Sequence, residues 1–215
     1  MFESKKLKRF VGENRVQPAQ ERLLGLGAAI IAAADFTPLV LALRTPREQL
    51  AAHLQQTWNV VDAHTARDAI VWLVDAGARE TYADKYRAFQ AGQSAPLNDS
   101  YGQLLTAAQR FGFAEQDLRG CPTLAAWDYD RAAALTRQSF ALGYLDEAEV
   151  WEILGALVPE VHTEFNDWRS YALSLAVGRS FCFGGDPAEI LTTLRRLLEK
   201  DPELSPWVLH PLNTL

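Results

Sequence analysis

The charges with the most chemical potential in this chain sit where apolar residues are expected. The stretch AWDYDRAAALTRQSF, residues 126–140, places Asp128, Asp130 and Arg131 in an alanine-rich, helix-forming setting. Further on, Trp168, Tyr171, Leu175, Arg179 and Cys182 recur at helical spacing and share one face. An arginine on such a face must either snorkel to water or find a partner. Asp128 and Arg131 make the safest local pair, at i and i+3. An Asp128–Arg179 pair needs an offset between two helices that run parallel in an up-down-up arrangement. The pattern fits a structural hydrogen-bond network. Its alternative is an anion or small-ligand pocket built from Asp128, Arg131, Tyr171 and Arg179. Asp128 and Asp130 are two residues apart, so they fall on different helix faces and make a poor acid–base pair.

A second group of charges is acidic. Residues 146–167 hold Asp146, Glu147, Glu149, Glu152, Glu160, Glu164 and Asp167 and no lysine or arginine. Such a helix is either simply solvated or offers Glu147, Glu152, Glu160 and Glu164 to a basic protein partner. Gly184-Gly185-Asp186-Pro187 before a helix could receive an anion, but it reads first as a turn. No nucleophile elbow, P-loop, dinucleotide fingerprint or zinc-protease motif occurs. Cys121 and Cys182 lack metal-ligand spacing, and so do His53, His64, His162 and His210. No residue is assigned to catalysis or a metal, and no cofactor is expected. The leading expectation is a non-catalytic protein-interaction module that neutralises or chaperones a basic partner such as a toxin; a small-ligand or anion sensor using Arg131 and Arg179 comes next, and an enzyme of unrecognised type also stays open.

Composition sets the compartment and the partners. The net charge of −6 over 215 residues argues against a nucleic-acid surface. Residues 1–22 carry +3, leaving −9 for the remainder. Residues 1–18 therefore read as a flexible basic segment, and 19–215 as a single domain. Leu23–Ala34 is apolar and follows basic residues, which superficially resembles a leader. Twelve residues are too few to span a bilayer, and a second apolar stretch, Leu39–Leu43, follows. The expectation is a buried core helix in a cytoplasmic protein with a protein partner.

The elements that must position these residues are all helical. Apolar periodicity predicts helices over 20–34, 46–57, 65–77, around 82–89, and over 99–110. Thr45, Pro46 and Glu48 read as cap, first position and capping box of the second. Residues 126–143, from Asp146 onward, 167–182 and 187–200 supply four more, with a kink at Pro159 and a stop at Asp201-Pro202. Trp151 and Trp168 are expected in the core. The fold class is all-α, a compact domain of seven to nine helices.

The run WDYDR at 127–131, GYLDEAEVW at 143–151, DW at 167–168 and Y…GR at 171–179 resembles a bacterial family. It is the domain of unknown function found in the YbeU- and YbeR-like proteins. The likeness covers about residues 20–183. It implies an all-helical fold and a bacterial origin, and it implies no activity.

Overall fold

Caps, glycines and prolines cut this chain more finely than its apolar periodicity implies. The computed structural model describes residues 2–34, 37–199 and 205–215. Those residues hold fourteen α-helices and no strand. The all-α class is therefore observed, but the expected seven to nine helices are too few. The surplus is mainly one-turn helices, too short for a 3.6-residue period to register.

The basic N-terminal stretch, expected to be flexible, carries α1 (Phe2–Glu13), whose Val11 is buried with Leu39 and Val40. The expected helix over 20–34 is split into α2 (Pro18–Glu21), a 3-10 turn (Arg22–Gly25) and α3 (Ala28–Ala34). Gly27 causes the break. Its φ is +75°, and a Cβ there would stand 2.7 Å from the backbone nitrogen of Ala134. Only glycine lets the two backbones approach so closely. Then come α4 (Arg47–Trp58), α5 (Ala63–Asp75), α6 (Gly77–Thr81), α7 (Ala83–Gln90), α8 (Ser100–Ala108) and α9 (Glu115–Arg119). Thr45 is not the cap of α4. Pro46 is extended, with ψ 137°, so it holds the cap position and the helix begins at Arg47.

The second half is built from α10 (Ala125–Ala141), α11 (Glu147–Glu164), α12 (Trp168–Cys182), α13 (Pro187–Glu199) and α14 (Pro206–Leu209). Capping boxes start α5 at Asp62/Thr65, α11 at Asp146/Glu149 and α12 at Asp167/Ser170. Each such cap is worth about 1 kcal/mol. α11 runs uninterrupted through Pro159. The expected stop at Asp201-Pro202 lies outside the described residues.

α10 is the hub, packed against α3, α5, α6, α11 and α12. Fifteen of its residues are buried, including Asp128, Asp130, Arg131 and Arg137. Leu124 cannot cap its first turn, so the Thr123 hydroxyl accepts the Ala125 N–H at 3.2 Å and a second helix serves the next one. Ser174 on α12 accepts from the Ala126 N–H at 3.2 Å and donates to the Thr123 carbonyl at 2.9 Å. Trp168 is buried as expected and stacks on Trp207, with centroids 4.9 Å apart. Trp151 is only half-buried, and its indole N–H donates to Glu147 at 3.0 Å. The buried stripe of α11 is Val150, Leu154, Leu157 and Val161, which turns Trp151 to the edge.

Candidate functional site

Two helix ends on opposite sides of α10 explain its buried carboxylates. On the first side, α5 stops at Ala76 and α6 restarts at Gly77 with φ +61°. A side chain at Gly77 would collide with the Asp128 carboxylate. That carboxylate accepts the backbone N–H groups of Ala78 at 2.9 Å and Arg79 at 2.8 Å. It also accepts from Arg131 Nη2 and lies 3.5 Å from Arg79 Nη1. Arg79 in turn donates to the carbonyls of Leu73 and Val74 at the end of α5. One acid and one arginine thus satisfy both ends of the interruption.

On the second side, Asp130 accepts the Ile30 N–H at 2.9 Å near the start of α3. The Tyr171 hydroxyl donates to its other oxygen at 3.4 Å. Burial pushes the Asp130 carboxyl up to about 7, against the downward pull of nearby backbone N–H groups and Arg137. Burial, with Asp130 beside it, also raises the Tyr171 hydroxyl well above its ordinary value. Arg137 is fully buried and donates to the carbonyls of Leu24, Thr37, Pro38 and Val40.

Of the four residues expected to form one pocket, Arg131 and Arg179 do line a common cleft of about 870 Å³. Asp128 is fully buried behind Arg131, and Tyr171 belongs to the Asp130 side. α4 and α5 supply one wall of the cleft with Trp58, Asp68 and Trp72. Trp127, Phe183 and Gly184 line it from α10 and the end of α12. The Arg131 guanidinium lies over three rings, 4.8 Å from the centroids of Trp127 and Phe183 and 5.3 Å from that of Trp58. Burial pulls its pKa down, and Asp128 opposes that shift.

Arg179 is held differently. It donates to the Asp186 carbonyl at 3.2 Å and lies 3.4 Å from Glu189, whose side chain is 76% exposed. No Asp128–Arg179 bond forms, because Arg131 and the start of α6 occupy that carboxylate. Asp186 caps the next helix, accepting the Ala188 N–H at 2.9 Å. The thiols are held neutral: burial pushes Cys121 up to about 11 and Cys182 up to about 12. Among the described residues no three metal-ligating side chains converge. Nor is any helix among them long and apolar enough to cross a membrane.

Glu147, Glu152, Glu160 and Glu164 are all exposed on α11, and none lines the cleft. Sequence reading missed Arg79, Arg137, Trp58 and Trp72. Arg137 carried a signal, a charge inside an alanine-rich core helix. Trp72 carried none, because its exposure matters only once the far wall is in place. No characterised protein and no solved structure matches the chain. The model of the family described as Protein of unknown function (DUF1266) matches residues 53–212, most of the chain and all of the cleft lining but Ile30, so this chain belongs to that family.

Proposed function

We propose that this chain is a non-catalytic binding module of the bacterial cytoplasm, from the YbeU/YbeR-like branch of its family. Residues 19–215 act as one domain, and the ligand sits in the cleft between α4–α5 and the α10–α12 pair. The observation that carries this reading is the large aromatic-walled cleft itself. Its volume of about 870 Å³ falls in the range of small-molecule sites. Trp72 and Phe183 on its lining are 44% and 53% exposed, an unfavourable arrangement unless something covers them. The two buried acids of α10 are already used by the fold. Asp128 is spent on the start of α6, and Asp130 on the start of α3.

A second reading places a basic protein partner on the exposed acids of α11. One calorimetric titration separates the two, using the neutral probe 2-naphthylmethanol. Saturable one-to-one binding is expected, weakened about tenfold or more by Trp72→Ala. Charge reversal at Glu147, Glu152, Glu160 and Glu164 is expected to leave it unchanged. No saturable binding, or equal binding by Trp72→Ala, overturns the cleft reading and leaves the α11 face as the site.

A further inference from the structure

We infer that the cleft selects a planar aromatic ligand carrying one anionic group, a carboxylate, and that Arg179 alone recognises the charge. The inference rests on the cleft reading and adds the ligand's chemistry to it.

Aromatic rings with an acid beside them ordinarily recognise a cation. Here that role is already filled from within the chain. Arg131 lies over Trp58, Trp127 and Phe183 and is ion-paired to Asp128. A ligand ammonium would compete with a tethered guanidinium for the same ring faces. The cage is therefore closed to cations, and the Arg131 guanidinium is held on Asp128 and the rings rather than turned to a ligand.

Arg179 has the opposite status. Its side chain is 19% exposed, so its charge is poorly hydrated. Its carboxylate partner among the described residues, Glu189, is solvated, and the 3.4 Å contact is long for a charged pair. A carboxylate entering the cleft can replace Glu189 without stranding it, because Glu189 keeps its water. The planar guanidinium suits two-point recognition of a carboxylate better than a point charge does. The local charge agrees. Asp128 sits between Arg131 and Arg79, so that buried cluster is net positive. The opposing acid on the cleft wall is Asp68, which is 67% exposed and lies 3.5 Å from His64.

The Trp127 ring forms part of the cleft wall. The flat body of such a ligand would lie between the exposed faces of Trp72 and Phe183.

Three probes of one shape test this: 2-naphthoate, 2-naphthylmethanol and 2-naphthylmethylamine, titrated calorimetrically into the full chain. The naphthoate should bind about tenfold more tightly than the alcohol, and the amine most weakly. Arg179→Gln should bring the naphthoate-to-alcohol ratio close to one. Arg179→Lys should keep part of it. Near-ultraviolet circular dichroism of each variant checks that the aromatic packing is intact. If no probe binds, the cleft reading itself fails. If all three bind equally, the cleft stands and its preference for an anion is overturned. A ratio that survives in Arg179→Gln with native packing overturns the role of Arg179.

Discussion

Asp128 and Asp130 stand two residues apart on one helix, do the same job on opposite sides of it, and end in different environments. Each receives backbone N–H groups at the start of a helix, α6 for Asp128 and α3 for Asp130. Each side also has an arginine turned to backbone carbonyls, Arg79 on the first and Arg137 on the second. On the Asp128 side a further arginine, Arg131, pairs with the acid and continues into the cleft. The Asp130 side is sealed, with Tyr171 as a neutral donor, and the carboxyl is pushed up to about 7. The same device therefore yields an ion pair behind the cleft in one place and a core acid pushed up to about 7 in the other. What separates them is the number of cations within reach, not the depth of burial, since both acids are fully buried.

The largest expected effect comes from breaking the charged side. Asp128→Ala leaves Arg131 buried without its acid and strands the first N–H groups of α6. Removing one partner of a buried pair costs about 3–5 kcal/mol. Urea denaturation should show a loss of that size. A loss below about 1 kcal/mol would mean that α6 and Arg131 find other partners, and the comparison would collapse.

The sealed side should respond to pH instead. The folded Asp130 carboxyl lies near 7, above the ordinary aspartate value of about 4. The folded state then binds more protons than the unfolded one between those values. Asp130 therefore contributes stability that is complete below about pH 4 and is lost as pH rises through 7. Asp130→Asn lacks this titration. The stability of the wild type relative to the variant should fall by on the order of 1–3 kcal/mol between pH 5 and pH 8. Paired denaturation curves at the two pH values measure it. An unchanged difference would show that Asp130 does not change its protonation between those pH values.

How much of this was legible in the sequence depends on how local each feature is. The boxes at Asp146/Glu149 and Asp167/Ser170 involve residues three apart, and the helices start where those residues stand. The break at Gly27 was illegible because the backbone that forbids a side chain there belongs to Ala133 and Ala134. Helical spacing put Arg179 and Tyr171 on one face, and both sit on α12. They serve different sides of α10 because the positions they occupy lie two turns apart, and the helix ends facing them differ. The cleft was hardest to read. Trp58 and Trp72 lie more than a hundred residues from Phe183, and no local pattern records that they meet.

The smallest stability effect should belong to Arg179. By helical spacing alone it reads as a structural arginine whose loss strands a buried partner at about 3–5 kcal/mol. Its surroundings argue for much less. Glu189 is 76% exposed, and Asp186, whose carbonyl it also meets, is exposed as well. Both partners return to water when the guanidinium is removed, so neither is left buried and unpaired. What is lost is one hydrogen bond to a carbonyl and a screened ion pair, together about 1 kcal/mol. Arg179→Ala should therefore melt within a few degrees of the wild type, well above Asp128→Ala in the same buffer. A loss as large as that of Asp128→Ala would make Arg179 part of the scaffold, and the cleft would lose the one arginine not already committed to the fold.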